Sequence, residues 1–227
     1  MTDRLRVDAP AKINLALHVT GQRADGYHTL ETIAVFADIG DRITAEPADQ
    51  DSFEIEGPEA AALAAEDPGQ NLVIRARDLV RSVLAKTGLE ASPVALTLEK
   101  HLPAGSGIGG GSADAAATLR ALTSLWNRDG ISENLERQAS TLGADVPMCL
   151  HSEPLVAGGI GEAIVPVANM PALAMVLVNP RRHVSTPAVF SKLADKHNPP
   201  LPREGIAALR DVRDWAAWLK AETRKDL

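Results

Sequence analysis

Cysteine and aromatic residues are scarce in this sequence. Its 227 residues include one cysteine, Cys149, which excludes an intramolecular disulfide and a zinc site built from cysteines. Because the chain holds three tryptophans, three phenylalanines and one tyrosine, we expect a mostly aliphatic core. Apolar residues still make up 45% of the chain, so it can bury a core of its own, and disorder throughout the chain is excluded.

Long apolar runs and a secretory leader are missing as well. No stretch of about 18 apolar residues occurs, and the first residues lack the basic-then-apolar order of a signal peptide. We therefore expect a soluble, cytoplasmic protein that does not bind membranes. The net charge of −7 argues against a broad nucleic-acid surface, but it does not exclude anionic small ligands, which local fields hold.

Hydrophobic periodicity predicts an α+β fold. The first 57 residues alternate in the manner of strands, with breaks at the turn-rich segments 21–26 and 38–41. A helix is predicted over 71–87, ended by Gly88, and another from Ser132 to about Leu142. The predicted strands of this part are Leu5–Val7, Ile13–Val19, Ile33–Ala37, Arg42–Ala45, Phe53–Glu56 and Val94–Leu98.

The composition changes after about residue 150, which predicts a second, smaller lobe. Segment 143–147 reads as a tight turn before it. Thr186 and Pro187 are typical of a helix start, and a polar helix is predicted over Asp211–Lys220. The predicted strands of this part are Pro154–Val156, Ala163–Val167 and Ala174–Val178.

The most unusual segment is Pro103–Asp114, with the sequence PAGSGIGGGSAD. It follows a predicted strand and precedes a predicted helix, for which Ser112 is the expected N-cap. Glycines let backbone N–H groups converge on one point, and the first helical turn adds unpaired donors and a partial positive charge. The segment therefore predicts an anion site of the kind that binds phosphates.

Three other interpretations of this segment were weighed. Gly105, Gly107 and Gly110 satisfy the dinucleotide-binding spacing, but the acid expected about 20 residues later, Asp129, follows a helix instead of a strand. A nucleotide P-loop is excluded, because no lysine precedes Ser112. A simple tight turn that brings a helix close to a sheet needs fewer than the five glycines present.

The loop and several other segments together resemble the GHMP kinase superfamily. Within it, the resemblance is greatest to the branch that phosphorylates the 2-hydroxyl of a cytidine-diphosphate sugar alcohol in isoprenoid precursor biosynthesis. Six segments agree, in the order in which that family carries them. Besides the loop they are PAKINLAL at 10–17, GQRADGYH at 21–28, QNLVIRA at 70–76, LGADVP at 142–147 and TPAVF at 186–190.

The resemblance implies a two-lobed fold. Residues 1–150 would form a ribosomal-protein-S5-like lobe with the ATP loop, and residues 151–227 an incomplete ferredoxin-like lobe. The third glycine-rich motif of the superfamily does not occur, since Gly205 is the only glycine after Gly161. We therefore expect exposed apolar surface and lower stability in the second lobe. A monomer or a homodimer is compatible with the sequence.

Two residues are implied to be catalytic, Lys12 and Asp145. From the residues alone, Lys12 could be a strand lysine that faces water, and Asp145 a turn or cap residue. The resemblance implies that Asp145 accepts the proton of the attacking hydroxyl and that Lys12 stabilises phosphoryl charge. A lysine beside this aspartate would also keep its carboxylate ionised.

The resemblance further implies that ATP and Mg²⁺ are bound. Ser112 could contact a phosphate or magnesium instead of capping the helix, Ala113 stands where relatives often have a second serine, and Asn71 would lie near the adenine. No metal site of the protein's own is predicted, since the histidines lack ligand spacing and Cys149 is expected to be buried. The implied ATP-binding residues are Asn71, Pro103, Ala104, Gly105, Ser106, Gly107, Ile108, Gly109, Gly110, Gly111, Ser112 and Ala113.

The small-molecule substrate would be recognised through its cytosine. Tyr27 and Phe190 would stack on the base, at about 1–3 kcal/mol per aromatic ring, and His28 would make a polar contact. Asn14 and Thr186 are the other implied substrate-binding residues. Two alternatives remain: another GHMP kinase of the homoserine or mevalonate type, whose substrates lack a base, and a nucleotide-binding remnant without turnover.

Overall fold

In a computed structural model, two long strands begin the chain and run further than their sequence predicts. Strand β1 spans Leu5–Gln22 and β2 spans His28–Pro47, whereas the sequence predicted two shorter strands in place of each. The structure describes residues 4–64, 67–126, 133–180, 186–193 and 195–227. The predicted helix start at Ser132 and the acid of the dinucleotide interpretation, Asp129, lie outside these ranges.

The predicted break at 38–41 fails because β1 and β2 pair with each other, whereas the predicted connection at 21–26 coincides with the turn between these strands. A Cβ on Gly40 would collide with the backbone of Ala9 and Pro10, so glycine permits the close approach of the strands there. The segment that looked like a turn therefore continues the ladder. Together with the helices below, these strands confirm the α+β class.

The chain divides into two compact units, and both long strands contribute to each. The first unit comprises residues 1–12 and 37–151, and the second comprises residues 13–36 and 152–227. Within the described residues, no helix combines the length and apolar character that a bilayer span requires.

The first unit contains strands β3 (Ser52–Glu56) and β4 (Val94–Glu99) beside the second half of β2. Strand β4 pairs antiparallel with β2 and parallel with β3. Parallel neighbours need a crossover, and helix α1 (Leu72–Lys86) supplies it, capped by Asn71 and followed by Gly88 at φ +73°. These three elements were predicted within one or two residues.

Helix α2 (Gly110–Leu125) is the centre of the first unit, and it is buried on nearly every side. Its alanines, Ala113, Ala115, Ala116, Ala117 and Ala121, are at most 1% exposed, and small side chains allow neighbouring elements to approach closely. Helices α3 (Glu133–Ala139) and α4 (Val146–His151) complete this unit. Helix α4 was not predicted, because its first residues were interpreted only as a turn.

The second unit is built on the first half of β2, which pairs with β5 (Leu155–Gly158), and β5 pairs with β6 (Ala163–Pro166). Helices α5 (Thr186–Ser191) and α6 (Val212–Glu222) follow. Asp211 caps α6 in a reciprocal arrangement with Asp214. The core of this unit surrounds Trp215, which packs with Ala16, Ile33, Val156 and Leu201.

One predicted strand of the second unit is absent. Residues 171–180 form no helix or strand, so the prediction for Ala174–Val178 was wrong. Val176 and Val178 are 89% and 87% exposed. An alternating apolar segment becomes a strand only where a neighbour offers its backbone N–H and C=O groups, and no pairing is present here.

Candidate active site

The first unit brings the ammonium of Lys12 and the carboxylate of Asp145 into direct contact. Lys12 lies on β1 and is 3% exposed, whereas the Asp145 side chain, which directly precedes α4, is 41% exposed. The distance between Lys12 Nζ and Asp145 Oδ1 is 3.0 Å. The pair thus presents a solvent-accessible carboxylate whose position is held by a buried cation.

The glycine-rich loop lies against the same lysine. The Lys12 N–H donates to the carbonyl of Ile108 at 2.9 Å. A Cβ on Gly109 would stand 3.1 Å from Lys12 Cβ and 3.3 Å from Cε, so the loop backbone passes directly over the lysine side chain. The structure therefore places the predicted phosphate loop beside Lys12 and, through it, beside Asp145.

The loop conformation requires glycine at several positions. Gly105, Gly107 and Gly109 have φ angles of 64°, 75° and 68°, a left-handed region that disfavours residues with a Cβ. Helix α2 begins directly afterwards, and its first N–H groups have no intrahelical acceptor. The loop and the helix start therefore form a set of backbone donors suited to an anion.

The expected cap at Ser112 was wrong. Gly109 is the N-cap of α2, without a side-chain hydrogen bond, and Ser112 lies inside the first turn. Its hydroxyl faces Gly143, where an added Cβ would lie 3.6 Å from Ser112 Oγ. Of the two roles considered for Ser112, capping is thus excluded, while a contact with a phosphate or a metal is compatible with this position.

A buried charged triad beneath the loop was missed by sequence reasoning. Lys100 Nζ donates to Asp114 Oδ2 at 2.9 Å and also to Asp41 Oδ2. Asp41 Oδ1 accepts the N–H groups of His101 and Leu102 at 2.6 and 2.7 Å. A Cβ on Gly110 would stand 3.2 Å from Lys100 Nζ, so the triad supports the first residue of α2.

The triad shifts the acidity of its members. Burial raises the pKa of the Asp114 carboxyl to about 7, against the opposing attraction of Lys100. Burial also disfavours the charged form of Lys100, but the carboxylates of Asp114 and Asp41 outweigh it and raise its pKa. The strand alternation could have found this site, since Lys100 continues the inward series of Val94, Leu96 and Leu98.

An open cavity of about 450 Å³ lies in the first unit. Apolar side chains line much of it, including Phe53, Ile55, Leu63 and Ile74, with Asn71 at its wall. Asn71 Oδ1 accepts the Val73 N–H at 2.9 Å, so this residue caps α1 as well as lining the cavity. A planar apolar group with a few polar edges fits such a lining.

The second unit holds the residues predicted to recognise the substrate. His28 and Phe190 stack with ring centroids 4.8 Å apart and an interplanar angle of 26°. Burial, with a smaller contribution from Lys196, lowers the pKa of His28, so its ring is neutral at pH 7. Its Nε2 atom is buried and makes no hydrogen bond within the described part of the chain.

Tyr27 ends the turn between β1 and β2, directly before β2, and is 59% exposed. The turn closes through the Arg23 N–H, which donates to the Tyr27 carbonyl at 2.7 Å, and Gly26 supplies a φ of 89°. Asn14 lies on β1 and is half-buried. Thr186 is the first residue of α5, and its side chain lies outside what the structure describes.

Clusters of three or more histidine, cysteine, aspartate or glutamate side chains that could hold a metal ion do not occur in the described ranges. Cys149 is buried, and this burial raises the pKa of its thiol to about 12. The expectation of a buried cysteine is thus confirmed.

Comparison with known proteins gives consistent matches. Residues 71–153 match the GHMP kinases N terminal domain. The chain is 55% identical over 219 residues to the 4-diphosphocytidyl-2-C-methyl-D-erythritol kinase of Agrobacterium fabrum, covering 96% of this chain and 73% of that protein. The enzyme of the same name from Rhizobium etli strain CIAT 652 is 59% identical over 222 residues, covering 97% and 71%.

Solved structures agree in fold. A crystal structure of 4-(cytidine 5′-diphospho)-2C-methyl-D-erythritol kinase matches with a TM-score of 0.68 at 33% identity, covering 91% of this chain and 73% of that one. The homoserine kinase of Cytophaga hutchinsonii matches with a TM-score of 0.57 at 19% identity, covering 95% and 65%. The second likeness shows the fold alone.

Proposed function

Because this chain belongs to the 4-diphosphocytidyl-2-C-methyl-D-erythritol kinases of the GHMP kinase superfamily, we propose that it transfers the γ-phosphoryl group of ATP to the 2-hydroxyl of 4-diphosphocytidyl-2-C-methyl-D-erythritol. This reaction supplies isoprenoid precursors. The observation that carries the proposal is the contact between Lys12 and Asp145 beside the glycine-rich loop.

Asp145 is the proton acceptor in this proposal. Its carboxylate is accessible while Lys12 is buried, so a substrate hydroxyl can approach the aspartate but cannot displace the lysine. The hydroxyl oxygen attacks the γ-phosphorus, its proton passes to Asp145, and the bond to the ADP oxygen breaks. The Lys12 ammonium stabilises the carboxylate before the transfer and the phosphoryl oxygens during it.

The glycine-rich loop would hold the ATP phosphates. Residues 104–113 supply the backbone N–H donors and the helix start, with Pro103 directly before them, and these donors do not depend on a second hydroxyl at Ala113. Phosphoryl transfer requires mainly that the protein position the reacting groups and stabilise the charge on the phosphoryl oxygens. A loop of backbone N–H donors can do both. Its position against Lys12 supports this assignment.

The cavity at Asn71 would receive the adenine ring. Its apolar lining suits a planar base, and the position of Asn71 at its wall supports a polar contact with one edge of the ring.

Magnesium would enter with the nucleotide. Mg²⁺ prefers oxygen ligands and is usually bound by one or two protein groups together with substrate phosphates. Ser112 offers a hydroxyl at the loop, which fits one protein position in this donor set. When bound, the ion would neutralise charge on the phosphates.

The second unit would recognise the cytidine. The orphaned Nε2 of His28 supports a hydrogen bond to a base, since buried polar atoms are normally paired. Phe190, stacked on His28, and the exposed Tyr27 offer aromatic faces for the ring. We assign Asn14 and Thr186 to the same substrate.

The replacement of Asp145 by asparagine tests the proposal. ADP release from MgATP is measured with and without 4-diphosphocytidyl-2-C-methyl-D-erythritol. We expect substrate-dependent release by the unaltered chain and a fall in kcat of about 10²- to 10⁴-fold in Asp145→Asn, because a general base typically contributes that much. Asp49→Asn, at an exposed position of the same unit, is the matched control and should retain turnover.

Two outcomes would contradict the proposal at different levels. Near-normal turnover in Asp145→Asn would remove Asp145 from the proton-accepting role. ADP release that does not respond to the substrate would refute the kinase activity of this chain, and would favour the alternative of nucleotide binding without turnover.

Homoserine as acceptor in the same assay tests the other kinase alternative, which the comparisons do not favour.

A further inference from the structure

Arg120 holds backbone carbonyls of two different elements from its place on helix α2. Its Nη1 donates to the carbonyls of Cys149 and Leu150 at 2.9 and 3.3 Å. Its Nη2 donates to the carbonyl of Asp8 at 2.9 Å. A guanidinium is planar and rigid, so these contacts fix the elements in orientation as well as in distance.

The elements that Arg120 joins are the ones that carry the Lys12–Asp145 pair. Cys149 and Leu150 belong to α4, whose first turn is closed by the Cys149 N–H donating to the Asp145 carbonyl at 3.1 Å. Asp8 lies on β1, four residues before Lys12. Arg120 itself lies on the helix that begins at the glycine-rich loop.

Helix α4 needs such an anchor. It has six residues, and helices of this length are not stable by themselves. The last carbonyls of a helix also lack intrahelical partners, and Arg120 supplies donors to two of them. Burial lowers the pKa of Arg120, although the guanidinium remains charged at any physiological pH.

We propose that Arg120 is a positioning residue for phosphoryl transfer, which holds α4 and β1 so that Asp145 and Lys12 stay in register beside the loop. This inference rests on the proposed function. In this role Arg120 acts through Asp145 and not on the substrate itself. A displacement of about 1 Å at a reacting group can lower a rate by about 100-fold, so the loss of this anchor should reduce kcat.

A double-mutant cycle with Asp145 tests this role. We expect Arg120→Met to lower kcat by about 10- to 100-fold and to change the KM for ATP by less than about 2-fold. In the Asp145→Asn background the same change should lower kcat less than in the unaltered chain, because only the part of the effect that acts through Lys12 remains. An equal loss in both backgrounds would make Arg120 merely structural and would overturn the proposal.

Arg81→Met is the matched control. Arg81 also joins elements of the first unit, through Asp51 and the carbonyl of Ser92, but its contacts with the described residues involve neither α4 nor the first half of β1. We expect a loss of stability in Arg81→Met with little change in kcat. A fall in kcat as large as that of Arg120→Met would show that another half-buried arginine of this unit has the same effect, and would overturn the proposal.

The single cysteine supplies a readout that does not depend on turnover. Cys149 is buried, with its carbonyl bound by Arg120, so its reaction with N-ethylmaleimide reports the opening of α4. We expect Arg120→Met to accelerate labelling by at least about 10-fold and Arg81→Met to leave it near the original rate. Unchanged labelling in Arg120→Met would overturn the proposal, because α4 would then not depend on this residue.

The two readouts separate the two proposals. If the unaltered chain releases no substrate-dependent ADP, the proposed function fails, and faster labelling in Arg120→Met would then leave Arg120 with a structural role only. If release is substrate-dependent but the cycle shows no coupling, the function stands and the positioning role fails.

Discussion

Asp41 and Asp114 share one buried ammonium but differ in their other partners. Asp41 also accepts two backbone N–H groups, from His101 and Leu102, which stabilise its charge. Asp114 Oδ1 is buried and makes no hydrogen bond with any described residue. The buried Asp114 carboxyl accordingly has a raised pKa.

This asymmetry predicts a pH-dependent contribution to stability. The pKa of Asp114 is about 7 in the folded chain, against 3.8 for an ordinary aspartate, so the folded state binds more protons between these values. The contribution of Asp114 to stability therefore falls as the pH rises from about 4 to about 7. Lys100 has a raised pKa, and its titration lies far above this range.

Urea unfolding of the unaltered chain and of Asp114→Asn at pH 5 and pH 8 measures this effect. The stability of the variant relative to the unaltered chain should increase between these pH values, on the order of 2 kcal/mol, since one pKa unit corresponds to about 1.4 kcal/mol. Asp49→Asn serves as control and should show no such trend. A difference that is flat, or that declines with pH, would contradict the proton uptake by Asp114.

Gly109 is the residue at which the glycine-rich loop contacts β1. It combines a left-handed backbone conformation with a close approach to the Lys12 side chain. Gly109 has a φ of 68°, and an added Cβ would press on Lys12. Gly107 has a similar φ of 75°, but an added Cβ would meet nothing within 4 Å. An alanine would therefore have a strained backbone conformation at both positions, but only at Gly109 would its methyl group also contact Lys12.

The alanine variants of these glycines should differ in turnover. Each should lose about 1–2 kcal/mol of stability, because a left-handed conformation disfavours a Cβ. Gly109→Ala should lower kcat at least about 10-fold further than Gly107→Ala, because the added methyl displaces Lys12. Unfolding curves and steady-state kinetics of the pair measure both effects. Equal kcat values in the two variants would mean that Lys12 adapts to the methyl without consequence.

Elements with a strong period and a clear cap could be predicted from the sequence, whereas those defined by distant partners could not. Helix α1 combines an apolar stripe with the cap Asn71, and α6, predicted as a polar helix, begins after the cap Asp211. The continuity of β1 and β2 depends on the space that Gly40 leaves for Ala9, which a local pattern does not reveal. Helix α4 is short and depends on Arg120 from another helix.

The candidate site divides in the same way. The loop, Lys12 and Asp145 were found because family motifs carry them, and the structure brings these three together. The buried triad joins three separate elements, since Lys100 pairs with both Asp41 and Asp114. The sequence does not show that these two carboxylates share one lysine. The spacing of residues in a motif identifies one segment of the chain, whereas this triad forms only when three separate elements pack together.

At the scale of the whole molecule, the two units differ in how their apolar surface is covered. The first unit surrounds α2 on nearly every side. The second unit leaves residues 175–178 exposed, with Val176 and Val178 almost fully accessible. Exposed apolar chain without hydrogen-bonded neighbours opens at little free-energy cost.

Limited digestion with proteinase K tests this difference. We expect the earliest cuts within residues 152–227, and among them cuts within 171–180, because an extended and exposed backbone fits a protease cleft. Mass spectrometry of the first fragments gives the positions. Earliest cleavage within the first unit, residues 37–151, would contradict the lower stability expected for the second.

The sharing of β1 and β2 between the units also sets the order in which the chain can fold during synthesis. Residues 13–36 belong to the second unit, but the rest of that unit begins only at residue 152. At about 5–20 residues per second, the ribosome needs on the order of ten seconds to make the intervening segment. During that time the first unit can assemble, whereas the first half of β2 stays without its partner β5 until that strand has been made.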